Sequence, residues 1–248
     1  MQLSGNTILI TGATSGLGLA FAEAYLQEGS TVIICGRRAE RLQQIKEQHP
    51  NIITKVCDVA DETQRRELHA WATEQYPALN ILMNNAGMQL HTDLKQEVHI
   101  DNVRQEIETN LVAPIHLSSL FAPHLGQHSE AAIMNISSGL SFVPIAFMPV
   151  YCATKAAIHS LTMSLRWQLR KTTVKVFEIA PPSVDTELGH QNRADKNQSH
   201  GGIPISEFMA EALEGIRADN LETLVGMAKG MNAKRDELFE MINSRFEQ

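Results

Sequence analysis

Short runs of β-branched and apolar residues recur along the chain at 7–11, 31–35, 52–56, 81–84, 131–137 and 175–179, with helix-period segments between them. This alternation is the main constraint on the fold. A parallel strand pair needs a long crossover between its members, and a helix is the economical one, so strands alternating with helices make a parallel sheet covered on both faces. Near-continuous apolar strands such as Ile8-Leu9-Ile10 and Val32-Ile33-Ile34 fit burial on both sides. The expected fold class is α/β, a doubly wound parallel sheet. At 248 residues the chain can form one domain of this type, spanning 1–248.

Towards the end of the chain, 206–217 reads as a helix, 221–226 as a last strand and 234–246 as a closing amphipathic helix. The stretch 186–205 is polar, contains glycines and is weakly periodic. Loops this long inside compact domains are commonly lids, so 186–217 reads as a substrate lid, with a plain surface insertion as the alternative.

Composition removes several classes of function. Hydrophobic residues make up 43% and charged residues 20%, an ordinary globular balance, and no apolar run is long enough to span a bilayer. A formal charge of -7 without a basic cluster argues against a nucleic-acid partner, because neutralising phosphates needs concentrated Lys and Arg. The first residues run directly into a strand with no export signal. Cys35, Cys57 and Cys152 lack Cys-x-x-Cys spacing, so they read as reduced, buried thiols of a cytoplasmic protein. The ten histidines show no ligand spacing, and no metal site is expected.

Where the first strand ends, the sequence reads Thr11-Gly12-Ala13-Thr14-Ser15-Gly16-Leu17-Gly18. Glycines there permit a tight turn and close approach of backbone to ligand, and the following helix start offers free N–H groups to a pyrophosphate. A Rossmann-like dinucleotide site is the expectation. Such a turn also occurs without a ligand. The end of the second strand decides more. A site for the unphosphorylated cofactor usually has a carboxylate there, whereas this chain reads Cys35-Gly36-Arg37-Arg38. A guanidinium can pair with a 2′-phosphate, so NADPH is favoured over NADH. NAD(H) stays open as the second choice, and a solvated basic helix start is the plain alternative.

Tyr151 and Lys155 stand four residues apart, one turn on one helix face, with Ser138 thirteen residues upstream. A phenol of pKa roughly 10 is a poor proton donor or acceptor at neutral pH, and an adjacent ammonium is expected to lower that value. The pair reads as a tuned general acid or base.

With the glycine turn, these three residues and Asn84-Asn85-Ala86-Gly87, the chain resembles the short-chain dehydrogenase/reductase family from about Leu3 to Leu188. Around Ser138, Pro181 and Arg37 its wording is similar to a bacterial subgroup, the DltE-type oxidoreductases. The resemblance implies that Ser138 hydrogen-bonds the reacting oxygen, that Tyr151 transfers the proton, and that Lys155 lowers the tyrosine pKa and binds the nicotinamide ribose. It also implies that Gly12, Thr14, Ser15, Gly16, Leu17 and Gly18 cradle the cofactor, and that Asp58 and Val59 meet the adenine. Asn85, Ala86 and Gly87 would line the cleft, with Pro181, Val184 and Thr186 near the nicotinamide amide. Pro181-Pro182 stands where the family usually has Pro-Gly.

Asn110 matches a fourth catalytic position. Pro114 has no N–H to return to the carbonyl of residue 110, so in a regular helix that carbonyl would be free to hold a water. A kinked packing helix is the alternative.

The helix carrying Tyr151 places Ala156, Ser160, Met163 and Trp167 on its opposite side. By the resemblance this face meets a second copy, giving a homodimer or homotetramer; burial within the chain is the alternative. Leu140, Phe142, Val143, Pro144, Ile145, Phe147 and Met148 form an apolar stretch beside the reacting groups. They suit a moderately hydrophobic ketone, aldehyde or alcohol, or pack beneath the lid. The expected function is an NADPH-dependent oxidoreductase acting on such a small molecule. Two other readings stay open: a non-catalytic NADP(H)-sensing regulator, and a 3-oxoacyl thioester reductase.

Overall fold

The computed structural model describes residues 1–189 and 201–233. Seven parallel strands form one sheet in the order β3-β2-β1-β4-β5-β6-β7. The strands are β1 (Thr7–Thr11), β2 (Thr31–Gly36), β3 (Ile53–Val56), β4 (Ile81–Asn84), β5 (Ala131–Ile136), β6 (Val174–Ala180) and β7 (Glu222–Leu224). Helices α1 (Gly16–Gln27), α2 (Ala39–Gln48), α3 (Glu62–Gln75), α4 (Ile100–Ile107), α5 (Ala113–Leu125), α6 (Pro149–Leu169), α7 (Ile205–Arg217) and α8 (Ala228–Ala233) complete the described fold. This is the doubly wound, single-domain Rossmann-like fold read from the sequence.

Strand alternation sorts the core into two layers. Ile8, Ile10, Val32, Ile34 and Phe177 point to one face, where they pack with Phe21 of α1 and Phe208 of α7. Leu9, Ile33, Leu82 and Ile133 point to the other, against Leu68 of α3 and Leu117 and Phe121 of α5. Successive side chains of a strand face opposite ways, so apolar triplets feed both layers at once.

From β1 the chain winds outward through β2 and β3, then returns to the other side of β1 with β4. The crevice beyond the carboxyl ends of β1 and β4 is therefore the switch point of the sheet, where open α/β folds bind ligands. The helix expected at 206–217 is α7, and the last strand is β7. The closing helix expected at 234–246 lies outside the described residues, as do 190–200 of the expected lid.

Asn110 does not lie in a regular α-helix. Glu108–Val112 is a π-helical turn between α4 and α5, with the N–H of Ala113 donating to the Glu108 carbonyl. Pro114 brings no donor to the ladder, and a wider turn accommodates that loss. The free carbonyl expected at Asn110 presupposed α-helical geometry, which the π-turn replaces.

Candidate active site

A cleft of about 470 Å³ opens at the switch point. The exit of β1 forms its floor. Gly12 has φ +64°, and a Cβ there would lie 2.5 Å from the Ala86 Cα, so the turn admits no side chain. Gly18 is similarly constrained, its added Cβ falling 2.8 Å from the Ala13 Cα. The two glycines let the β1 and β4 exits and the start of α1 close on one another. Asn85 ties that junction together by donating to the carbonyls of Thr11 at 2.8 Å and Gly12 at 3.2 Å. Ser15 caps α1 without a side-chain hydrogen bond, and no acidic residue stands in the first turn. The helix start thus keeps its donors for an anion. This cradle fits the pyrophosphate of a dinucleotide.

Thr14, Ser15, Gly16 and Leu17 line the cleft with Gly12 and Gly18. Arg37, Arg38, Asp58 and Val59 line it too. Arg38 donates through Nε and Nη2 to the Thr14 hydroxyl at 3.2 and 2.6 Å, and through Nη2 to Ser15 Oγ at 3.0 Å. Arg37 is largely exposed and stands 3.9 Å from the Asp58 carboxylate. Ala86, Gly87, Pro181 and Thr186 line the cleft as well. Val184 is placed differently: its side chain joins the core layer beneath α7, and its backbone bridges to Ile203.

Tyr151 and Lys155 lie on one face of α6, each 5% exposed. Ser138 follows β5 and shares a side-chain hydrogen bond with the Tyr151 phenol, while its hydroxyl accepts from the N–H of Leu140 at 3.1 Å. The structure thus brings Ser138, Tyr151 and Lys155 together from the β5 exit and one helix. The expected tuning is corrected, however. Burial pushes the Tyr151 phenol well above its ordinary range, with the Ser138 hydrogen bond pulling the other way. Lys155 is lowered to about 8 by burial. Its ammonium donates to the Ile136 carbonyl at 2.8 Å and stands 5.7 Å from the centre of the Tyr151 ring. Lys155 spends that donor on backbone, and desolvation dominates the phenol.

Asn110 clamps the segment beside this pair. Its Oδ1 accepts from the N–H of Met88 and its Nδ2 donates to the carbonyl of Met88, both at 2.8 Å. Nδ2 also donates to Thr154 Oγ1 on α6 at 3.2 Å. The Asn110 side chain therefore reaches the site through Met88, which lines the cleft.

Sequence reasoning missed several neighbours. Met88, Leu90 and Leu188 add apolar surface to a cleft that is otherwise lined largely by polar side chains. Glu106 is fully buried in α4 and accepts from the N–H of Leu90 at 3.0 Å, two residues beyond the Met88 that Asn110 holds. Glu187 lines the cleft and pairs with Arg38 and Arg41. Arg41 was visible in the sequence as a cation three residues after Arg38, one helical turn on. Leu140, Ile145, Phe147 and Met148 do cluster with Tyr151 and Cys152, whereas Phe142 packs edge-on against His159.

On the opposite side of α6, Ala156 and Ser160 are exposed, as are Met163 at 54% and Trp167 at 67%. Among the described residues, nothing in the chain covers these four positions. All three cysteines are buried and free.

A family model described as short chain dehydrogenase matches residues 6–197. The chain is 46% identical over 252 residues to an uncharacterized oxidoreductase of Bacillus subtilis, DltE, covering 99% of both chains. It is 33% identical over 214 residues to the NADP-dependent 3-hydroxy acid dehydrogenase YdfG of Salmonella typhi, covering 83% of this chain and 86% of that one. Among solved structures, a short-chain dehydrogenase from Sphingobium yanoikuyae in complex with NADPH superimposes with a TM-score of 0.82 at 26% identity, covering 94% of each chain.

Proposed function

The chain belongs to the short chain dehydrogenase family, its DltE-type subgroup included, and from this premise we propose an NADPH-dependent reductase of a small, moderately hydrophobic ketone or aldehyde. An NAD(P)-dependent oxidoreductase follows from the family itself. NADPH and the carbonyl class are the finer reading. In the reverse direction the same site oxidises an alcohol.

One observation carries the reading. The second strand ends in Gly36-Arg37-Arg38 with no carboxylate, and Arg38 lines the same cleft as Tyr151 and Lys155. A guanidinium suits a 2′-phosphate and leaves a bare ribose hydroxyl without its usual acidic partner. The NADPH-bound neighbour and the NADP-dependent relative support the same choice.

The nicotinamide, when bound, supplies the hydride in the reductive direction. The start of α1 and the Gly12 turn would hold the pyrophosphate, Asp58 and Val59 would border the adenine, and Lys155 would reach the nicotinamide ribose. Ser138 donates to the substrate oxygen, and Tyr151 gives that oxygen its proton. Asn110 fixes Met88 against α6 and so keeps the wall of the site in place. Met88, Leu90 and Leu188 exclude water and favour a substrate without charge. Among the described residues lining the cleft, the cations are Arg37, Arg38 and Lys155, which leaves none spare for a substrate carboxylate.

The lid belongs to this proposal as well. Its described parts are 186–189 along the cleft and 201–217, whose helix α7 is anchored in the core by Phe208. A homodimer or homotetramer built on the exposed face of α6 completes the reading.

The test is a comparative titration of NADPH and NADH followed by a screen of ketones, aldehydes and acyl-carrier thioesters with the preferred cofactor. Turnover of small ketones with NADPH is expected. Equal or tighter NADH binding would overturn the cofactor choice. No turnover on any carbonyl, with NADPH altering a partner interaction, would favour a regulator.

A further inference from the structure

The segment that follows β6 sets the carboxylate of Glu187 on two arginines at the start of α2. Glu187 Oε2 accepts from Arg38 Nη1 at 3.2 Å. Arg41 Nη1 donates to both oxygens of Glu187 at 2.7 Å. The remaining edges of the Arg38 guanidinium are taken by Thr14 and Ser15. An anion approaching Arg38 from the cleft therefore has Nη1 to bind, and Glu187 sits there.

The pairing is built to be exchanged. Carboxylates and phosphate monoesters are the two anions that guanidinium groups receive through directed, charge-assisted hydrogen bonds. Glu187 and its two partners are each between 37% and 45% exposed, which keeps the ion pairs weak in water. Burial raises the Glu187 carboxyl, but the hydrogen bonds and charges of Arg41 and Arg38 outweigh it and hold the group below its ordinary value, so it is anionic at neutral pH. Arg37, by contrast, points largely to solvent.

We propose that Glu187 is an internal competitor for the 2′-phosphate of the cofactor: its carboxylate occupies the Arg38–Arg41 anion seat, and it sets how strongly the site discriminates phosphorylated from unphosphorylated nucleotides. Arg41 is then a second arginine of that seat. The inference rests on the NADPH reading above. Binding of a 2′-phosphate costs the displacement of Glu187, while a nucleotide with a free 2′-hydroxyl leaves the pair intact. Glu187 therefore narrows the gap between the two cofactors.

The experiment is calorimetric titration of the full chain, wild type and Glu187→Gln, with 2′,5′-ADP and with 5′-AMP. Glutamine keeps the length and polarity of the side chain at a partly exposed position. The variant is expected to bind 2′,5′-ADP about threefold to tenfold more tightly, from the release of two exposed ion pairs, with 5′-AMP unchanged. Unchanged or weaker 2′,5′-ADP binding would overturn the inference, and so would equal tightening of both nucleotides, which would mean that Glu187 merely obstructs the cleft. If neither protein distinguishes 2′,5′-ADP from 5′-AMP, the NADPH reading itself falls. If both distinguish them and the variant gains nothing, that reading stands and this one falls.

Discussion

Lys155 Nζ lies 5.7 Å from the centre of the Tyr151 ring and donates to the Ile136 carbonyl at 2.8 Å, so the two groups are neighbours without sharing a hydrogen bond. The phenol is instead bonded to Ser138. Burial keeps it protonated at neutral pH, which is the form required of a proton donor.

Tyr151→Phe keeps the ring in its apolar cluster and removes the transferable proton. Turnover of any confirmed carbonyl is expected to fall by about 10²- to 10⁴-fold, with NADPH affinity retained. Ser138→Ala removes the donor to the substrate oxygen and the hydrogen-bond partner of the phenol, so turnover is expected to fall as well. Near wild-type turnover in Tyr151→Phe would remove the phenol from the chemistry.

Glu106 gives the fold a pH dependence that can be signed. The carboxyl is fully buried, Oε1 accepts from Leu90, and Oε2 has no partner among the described residues. Burial pushes its pKa up to about 7, against a hydrogen bond from Leu90 that lowers it. The ordinary value is 4.5, so between about 4.5 and 7 the folded state holds a proton that the unfolded state has released. Stability is therefore expected to fall as pH rises through that window. Urea midpoints at pH 5, 6, 7 and 8 should show the slope in the wild type and a flatter one in Glu106→Gln. The same slope in both proteins would assign the dependence to other groups.

The strands were legible because apolar β-branched runs are local, and Tyr151 with Lys155 was legible because one helical turn joins them. The Ser138–Tyr151 contact needed only the packing of α6 beside β5. Other features depended on distances along the chain that no local pattern reports. Asn110 meets Met88 across 22 residues, from a π-turn that replaces the regular helix there. Glu187 meets Arg41 across 146 residues, where strand order carries the β6 exit over the cleft. The direction of the Tyr151 shift was misread for a related reason: spacing shows proximity, whereas desolvation depends on everything packed around the pair.

Gly12 and Gly29 both have positive φ, at +64° and +84°, but they differ in surroundings. A Cβ at Gly29 meets nothing within 4 Å, whereas at Gly12 it strikes the backbone of Ala86. Gly29→Ala is expected to cost about 1 kcal/mol of backbone strain and to leave nucleotide binding unchanged. Gly12→Ala adds a steric collision at the cradle, so a larger loss of stability is expected together with at least tenfold weaker NADPH binding. Thermal unfolding and NADPH titration of the two variants check the contrast. Equal behaviour would show that the Gly12 turn does not shape the nucleotide site.

Trp167 is 67% exposed with the Arg170 guanidinium 4.0 Å over its ring, and Met163 one turn earlier is 54% exposed. Large apolar groups this open on one helix face are costly in water and gain by meeting a second surface. Because Ala156 and Ser160 on the same face are small, a facing helix can approach closely, and two-fold pairing of α6 with its copy lets each face cover the other. Wild-type protein is expected to sediment as a dimer or tetramer at micromolar concentration. Trp167→Glu places a charge in the middle of that contact and should shift the population to monomer, with circular dichroism unchanged. A wild-type monomer, or an oligomer indifferent to Trp167→Glu, would mean that the face stays in water and that the exposed tryptophan answers to some other surface.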